Sequence, residues 1–369
     1  MSDTCTISFL IGNGFDIAIL KSLDKNFTTT YGEFYDYLAY FLTNKENDIY
    51  KAIDNKKKQF SNNENETWKD YELLLKEVVR TKLIELEQYT DFALQEKVYL
   101  SFLEDWKEIQ YTFANFLNHV ITPQTLMDVT NMVVTDMDGK KTLQKFLGDL
   151  PIEEYKKIEF PQKINNHIKI DYHIFNFNYS ILADNYFYWL FAYHPFNVSK
   201  NTLCFYPNPS NISGGKTSTN SDTRYFIRPS VNFHHPHGQL SIPESILFGM
   251  SYNNEKTYYR DNSPFKRELS QKLDKAYWGM HTDKVKPFMQ KTDLFVIFGH
   301  SIGESDQCWW EEIIDQLKQG SELIIYDYEG KGLKKKILHY CKDDENLISD
   351  RIFVIDFDET KHLKYSFKF

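Results

Sequence analysis

The sequence predicts an α/β protein: a mostly parallel sheet flanked by helices, with a large all-helical insertion. Three observations carry that expectation. A short, continuous apolar run near the amino terminus ends in two glycines, the pattern of a buried parallel strand that turns into a helix. The carboxyl third alternates strand-like and helix-like runs: Asp293–Phe298, Ser305–Leu317, Glu322–Tyr326, Lys331–Lys342 and Arg351–Ile355. Strands alternating with helices of about 10–15 residues imply βαβ units and a parallel sheet. Between the first strand and the next secure one, near Tyr172, the periodicity is helical.

The first strand, led by Ile7, Phe9 and Ile11, runs into Gly12-Asn13-Gly14-Phe15-Asp16. Glycine there permits a sharp turn and a close backbone approach. A helix starting near Phe15 would turn free N–H groups outward, an arrangement suited to phosphate. A strict dinucleotide fingerprint wants Gly or Ala at position 17, where Ile17 stands. A tight turn without a ligand is the plainer alternative.

Helices follow from Tyr31 (stripe Phe34, Leu38, Phe41, Leu42), from near Glu66 (Leu75, Val79, Leu83, Leu86), and from Val98 to Val120. Asp54–Thr67 reads as a solvated loop or helix end. Pro123 suits the first turn of a further helix, while Asn131–Gly139 fits a helix or a short strand. Asp171–Phe177 reads as a strand ending in Asn178-Tyr179-Ser180, and Ile181–Tyr193 as a helix. Pro207–Arg228 is a polar loop; Ser230–His234 and Ser245–Phe248 read as strands, and Tyr258–Met280 as a helix. Residues 1–30 and 166–369 are thus expected to form one Rossmann-like α/β domain, with 31–165 as an inserted helical block.

The 369 residues suffice for a large core, and aromatics at 16% argue against disorder. A net charge of −9 argues against a generally basic nucleic-acid-binding surface. No run approaches about 18 apolar residues, and the amino terminus lacks a signal-peptide pattern; no membrane span and a cytoplasmic protein are expected. Cys5, Cys204, Cys308 and Cys341 stand far apart, which suits buried free thiols in a reducing compartment.

Ligands of open α/β sheets sit beyond the carboxyl ends of the strands. That rule selects Gly12–Asp16, Asn178–Ser180, His234–Gly238, Gly249–Tyr252 and Gly299–Asp306. Asn178 can donate and accept, so it can orient a water or a ribose hydroxyl, or cap the next helix. His237 can take a proton near neutral pH. His234 and His235 read as structural histidines, and no Asp, Glu or Cys stands at partner spacing, so no metal is expected. Gly299, His300, Ser301 and Asp306 suit a ribose or phosphate, or form a plain loop with Ser305 as a cap. No nucleophile elbow or Walker A string is present. Glu72 is expected to face solvent or cap its helix.

Gly12-Asn-Gly-Phe-Asp16, Tyr31-Gly-Glu-Phe34, Trp68-x-x-Tyr-Glu72, Phe177-Asn-Tyr179, His237-Gly238, Phe248-Gly249 and Gly299-His-Ser-x-Gly-Glu-Ser-Asp306 together resemble the bacteriophage abortive-infection AbiH family. That resemblance implies a bacterial antiphage protein that stops or kills the infected cell. More distantly, the motif order is similar to sirtuin-like NAD-consuming domains of other defence systems. The likeness implies catalysis at Asn178 and His237, dinucleotide contacts at Gly12, Asn13, Gly14, Phe15 and Asp16, and ribose contacts at Gly299, His300, Ser301 and Asp306. The four-cysteine zinc module of true sirtuins is missing, which argues against deacylation.

The function expected is an abortive-infection effector that binds an NAD-like nucleotide and hydrolyses its nicotinamide–ribose bond. Partners expected are that nucleotide and either a second copy of the chain or a partner defence protein. The alternatives are a nucleotide-sensing module without turnover and a toxin acting on nucleic acid.

Overall fold

A computed structural model of the chain describes residues 4–59, 68–136, 138–164, 169–193, 230–246, 264–274, 285–341 and 345–369. β1 (Thr4–Ile11) is covered on both faces, so its sequence is apolar nearly throughout rather than alternating. Cys5, Ile7, Phe9 and Ile11 face one core and Leu10 the other. Its polar Ser8 is satisfied by a 2.7 Å bond to Thr292 Oγ1.

Six strands form one parallel sheet: β1, β2 (Lys169–Asn176), β3 (Ser230–His234), β4 (Leu294–Phe298), β5 (Glu322–Tyr328) and β6 (Ile352–Phe357). Their order is β3-β2-β1-β4-β5-β6, and every pair is parallel. This is the doubly wound Rossmann order, as the sequence predicts. The chain steps outward from β1 to β3, then returns beside β1 with β4. The order therefore reverses between β1 and β4, and a crevice opens at their carboxyl ends.

α1 (Asn13–Ser22) follows β1 directly. Then come α2 (Tyr31–Phe41), α3 (Asp48–Gln59), α4 (Trp68–Gln88), α5 (Phe92–Val120), α6 (Pro123–Asp136) and α7 (Asp138–Lys145), all before β2. Their apolar stripes share a continuous core with one face of the sheet, where Phe34 and Phe113 belong to the same cluster as Phe9 and Tyr172. α8 (Leu182–Tyr193) follows β2 and packs on α6; α9 (Pro264–Leu273) lies farther on. The opposite face is covered by α10 (Gln307–Lys318) and α11 (Leu333–Tyr340). There Trp309, Trp310, Ile313, Leu317, Leu333 and Ile337 meet Phe295, Ile297 and Leu323.

Some open local readings are decided, and one changes. Asp54–Gln59 is the end of α3, which begins after Asn47, whose Oδ1 accepts from the N–H groups of Ile49 and Tyr50; the rest of that run, 60–67, lies outside the described residues. Asn131–Asp136 joins α6, where Val129 and Val133 bury at helical spacing. Pro243–Ser245 is a 3-10 turn rather than the start of a strand. Ser245 Oγ donates back to the Ile242 carbonyl at 2.6 Å, which curls the chain. The loop at Pro207–Arg228, Leu247–Phe248, Gly249–Tyr252 and both ends of the Tyr258–Met280 helix lie outside the described residues. Cys5, Cys308 and Cys341 are buried free thiols; Cys204 lies outside the described residues. No described helix is long and apolar enough to cross a membrane.

Candidate functional site

The crevice is built by two interlocked turns. The Gly12 N–H donates to Phe298 O at 2.9 Å, and the Gly14 N–H to Gly299 O at 2.8 Å. A Cβ on Gly12 would stand 2.6 Å from Gly299 O, and one on Gly299 2.5 Å from the Phe15 nitrogen. The close approach that these glycines permit is thus between the two turns themselves. The Phe15 N–H is also engaged, by Gly12 O at 2.9 Å, so three N–H groups of the turn bond within the protein.

The other residues of the glycine turn divide their work. Asn13 ties α1 to the following loop: its Nδ2 donates to Thr29 O (2.9 Å), and Thr29 Oγ1 donates to its Oδ1 (2.7 Å). The Phe15 ring lies wholly in the core against Tyr186, Phe298 and Phe369. Its side chain is thereby withdrawn from the crevice, so a ligand contact at Phe15 would fall to its backbone. Asp16 turns inward too. Its Oδ1 accepts from Asn178 Nδ2 at 2.7 Å and its Oδ2 from Ser180 Oγ at 2.5 Å.

Burial pushes the Asp16 carboxyl up to about 7, against the lowering effect of the Ser180 and Asn178 bonds. The folded chain therefore keeps a proton that the unfolded chain releases above its ordinary value of 3.8. The stability this group contributes is complete below about pH 4 and is lost as pH rises through about 7. Asp16→Asn, neutral at every pH, is expected to be more stable than wild type at pH 8 and nearly equal at pH 4. Denaturant melts at the two pH values check this; an equal difference at both would refute it.

The end of β2 is fixed from several sides. Phe177 N–H donates to Ile11 O at 2.9 Å. Asn176 Oδ1 accepts from the Asn178 N–H at 3.0 Å, while Asn176 Nδ2 donates to Ser180 O (2.9 Å) and Asp184 Oδ2 (2.8 Å). His235 Nε2 stands 2.9 Å from Asp184 Oδ1, so His235 joins this network, whereas His234 belongs to another cluster. It bonds His173 at 2.9 Å and is held neutral, its value lowered to about 4 mainly by burial and next by His173.

His237 packs edge-on against Phe177, ring centroids 5.1 Å apart, with Tyr179 at 6.2 Å. His237 therefore lies at the rim formed by the end of β2, beside the two residues that flank Asn178. His237 Nε2 lies 2.9 Å from Asp306 Oδ1, close enough for an ion pair though not in line for a hydrogen bond. The other oxygen of Asp306 faces His300 Nε2 at 3.7 Å. His300 Nδ1 accepts from the Ile302 N–H at 3.2 Å, which assigns the proton of the neutral ring to Nε2, toward Asp306. Ile302, a β-branched residue, is held at φ 54. Strain of that kind persists only where surrounding contacts enforce it. Ser301 is exposed, and its carbonyl accepts from Lys336 Nζ at 2.9 Å.

The helical block closes over this rim. Phe113 of α5 packs edge-on to Tyr179 at 5.2 Å, and Gln110 Nε2 donates to Ile246 O at 2.7 Å. α4 touches the Glu304–Asp306 turn, and half-buried Glu72 lies on that helix rather than facing open solvent. As a result Asn178, His237 and Asp306 are each only 5% exposed. An open depression of about 590 Å³ lies elsewhere, between α11 and the edge strand β6, beside Asp327, Lys334, Lys335 and Asp356.

Residues 8–328 match the family described as Bacteriophage abortive infection AbiH. The chain belongs to the AbiH family. Its biological role is accordingly antiphage defence by abortive infection. The match runs from β1 to the end of β5, so it takes in five of the six strands of the AbiH sheet, the helical block and every residue of the rim. No curated protein matches this AbiH chain.

Asn176, Ser180 and Asp184 were not singled out from the sequence as site residues, nor was Asp306 as the partner of His237. The alternation Asn176, Asn178, Ser180 was a usable signal, since alternate residues of an extended segment share a face.

Proposed function

We propose that this AbiH protein acts by binding NAD, or a closely related nucleotide, and hydrolysing its nicotinamide–ribose bond. One observation supports the reading: His237, beyond the end of β3, packs against Phe177, the neighbour of Asn178 at the end of β2, with Asp306 behind the imidazole. A carboxylate behind a histidine fixes the ring and stabilises its protonated form.

The chemistry asked of the site is modest. The C–N bond breaks through an oxocarbenium-like state, and its electron pair goes to the nicotinamide nitrogen, cancelling the pyridinium charge. A water oxygen bonds to the ribose carbon, and the released proton passes to His237. With Nε2 turned to Asp306, Nδ1 is the nitrogen that receives it. Asn178 orients the water, and Ser301, at the exposed edge of the second turn, meets a ribose hydroxyl.

Incubating the purified chain with NAD, NADP, ATP and tRNA, and separating the products by chromatography, tests the reading. Nicotinamide release from NAD or NADP that is lost in Asn178→Ala is expected. Intact nucleotide after prolonged incubation overturns it. The closed rim, with three N–H groups of the glycine turn already engaged, favours a second reading: a nucleotide-sensing module that rearranges on binding. It predicts thermal stabilisation by a nucleotide recovered unchanged.

A further inference from the structure

We propose that Asp16 is a positioning residue: it locks the Asn178 amide in one orientation, so that Asn178 meets its ligand only as a hydrogen-bond acceptor. The assignment rests on reading Asn178 as a residue of the site, and it goes beyond that reading in naming the chemistry of the group that Asn178 receives.

An asparagine amide can face either way, and its neighbours decide which. One of them, Gly12 O, is a backbone carbonyl 3.1 Å from Nδ2. A carbonyl can only accept, so the nitrogen must face it. The second amide proton goes to Asp16 Oδ1 at 2.7 Å. Both protons are thereby consumed inside the protein, and the carbonyl oxygen on the other side of the amide remains for a ligand.

The lock is braced. Asp16 is held at its second oxygen by Ser180 Oγ, which itself accepts from the Leu182 N–H at 3.2 Å at the start of α8. The Asn178 backbone is pinned by Asn176 Oδ1. With both carboxyl oxygens occupied in a fully buried position, Asp16 is not placed to make the dinucleotide contact that the resemblance implied for it.

A group that approaches Asn178 must then be a donor: a water, a sugar hydroxyl or an amide N–H. A phosphate oxygen would meet a carbonyl oxygen and be repelled. For hydrolysis this orientation is useful, because a water that donates one proton to Asn178 and its other to a base turns a lone pair outward.

Side-chain hydrogen exchange in the full chain, labelled with ¹⁵N-asparagine, tests the lock without relying on any activity. The Asn178 signals are identified by their loss in Asn178→Asp. Protection at least 10-fold above exposed asparagines is expected in wild type and in Asp16→Asn, whose amide oxygen still accepts, and its loss in Asp16→Ala. Exchange at the exposed rate in folded wild type, or undiminished protection in Asp16→Ala, overturns the proposal. Should Asp16→Ala not fold, the wild-type result decides. NAD hydrolysis supplies a separate readout: kcat is expected to fall at least 10-fold in Asp16→Ala, with KM within threefold, and to recover in Asp16→Asn. If wild type leaves NAD intact, the proposed reaction fails while the exchange result still judges the lock.

Discussion

His237→Ala is expected to slow nicotinamide release from NAD by about 10²–10⁴-fold, the usual range for removing a positioned general base. The Kd for NAD is expected to stay within about threefold, because the imidazole serves the water rather than the nucleotide. The expectation follows from placement. The ring is packed against Phe177, Nε2 faces Asp306 at 2.9 Å, and Nδ1 is the nitrogen on the side away from that carboxylate. His237→Gln, which fills more of the same space, should be nearly as slow. Single-turnover rates together with calorimetric binding separate the two effects. Unchanged turnover in both variants would remove His237 from the mechanism.

Gly299→Ala should be the more damaging change to the fold. Gly299 sits at φ +70, and a Cβ there would lie 2.5 Å from the Phe15 nitrogen and 2.9 Å from Gly12 O. Those atoms are backbone and cannot swing aside. Left-handed conformation costs about 1–2 kcal/mol for a residue bearing a Cβ, and overpacking about 1–3 kcal/mol more. A loss of about 2–5 kcal/mol follows, a fall in Tm on the order of 5–10 °C. Gly330→Ala is the matched control: φ is +61, and nothing lies within 4 Å of the added Cβ. It should lose only about 1–2 kcal/mol. Equal losses in the two variants would show that the turns are not interlocked as tightly as their geometry implies.

The strands and their parallel pairing were legible because both faces of this sheet are covered. Ile7–Ile11, Leu294–Phe298 and Glu322–Tyr326 therefore announce themselves as apolar runs, and covered strands between helices leave few arrangements. The helical stripes were equally plain, since Phe102, Trp106, Ile109 and Phe113 follow the turn of the helix. What the pattern left open or misjudged fell where one side chain redirects the backbone. Asn47 starts α3 ahead of the charge-rich run, and Ser245 closes a turn where a strand was expected to begin.

By itself the sequence determined the class of fold, the strand ends that border the crevice and, through its motifs, the AbiH family. Those are properties of local pattern and chain order, and pattern survives without coordinates. Only the tertiary structure decided what each polar group faces. It turned Asp16 onto Asn178, set Asp306 behind His237, buried the Phe15 ring, and filled the space beside Gly12 with the backbone of Gly299. These partners lie from 69 to 287 positions apart (306 − 237 and 299 − 12). Hydrogen bonds and excluded volume act over a few ångströms in space, so no spacing along the chain could have named them.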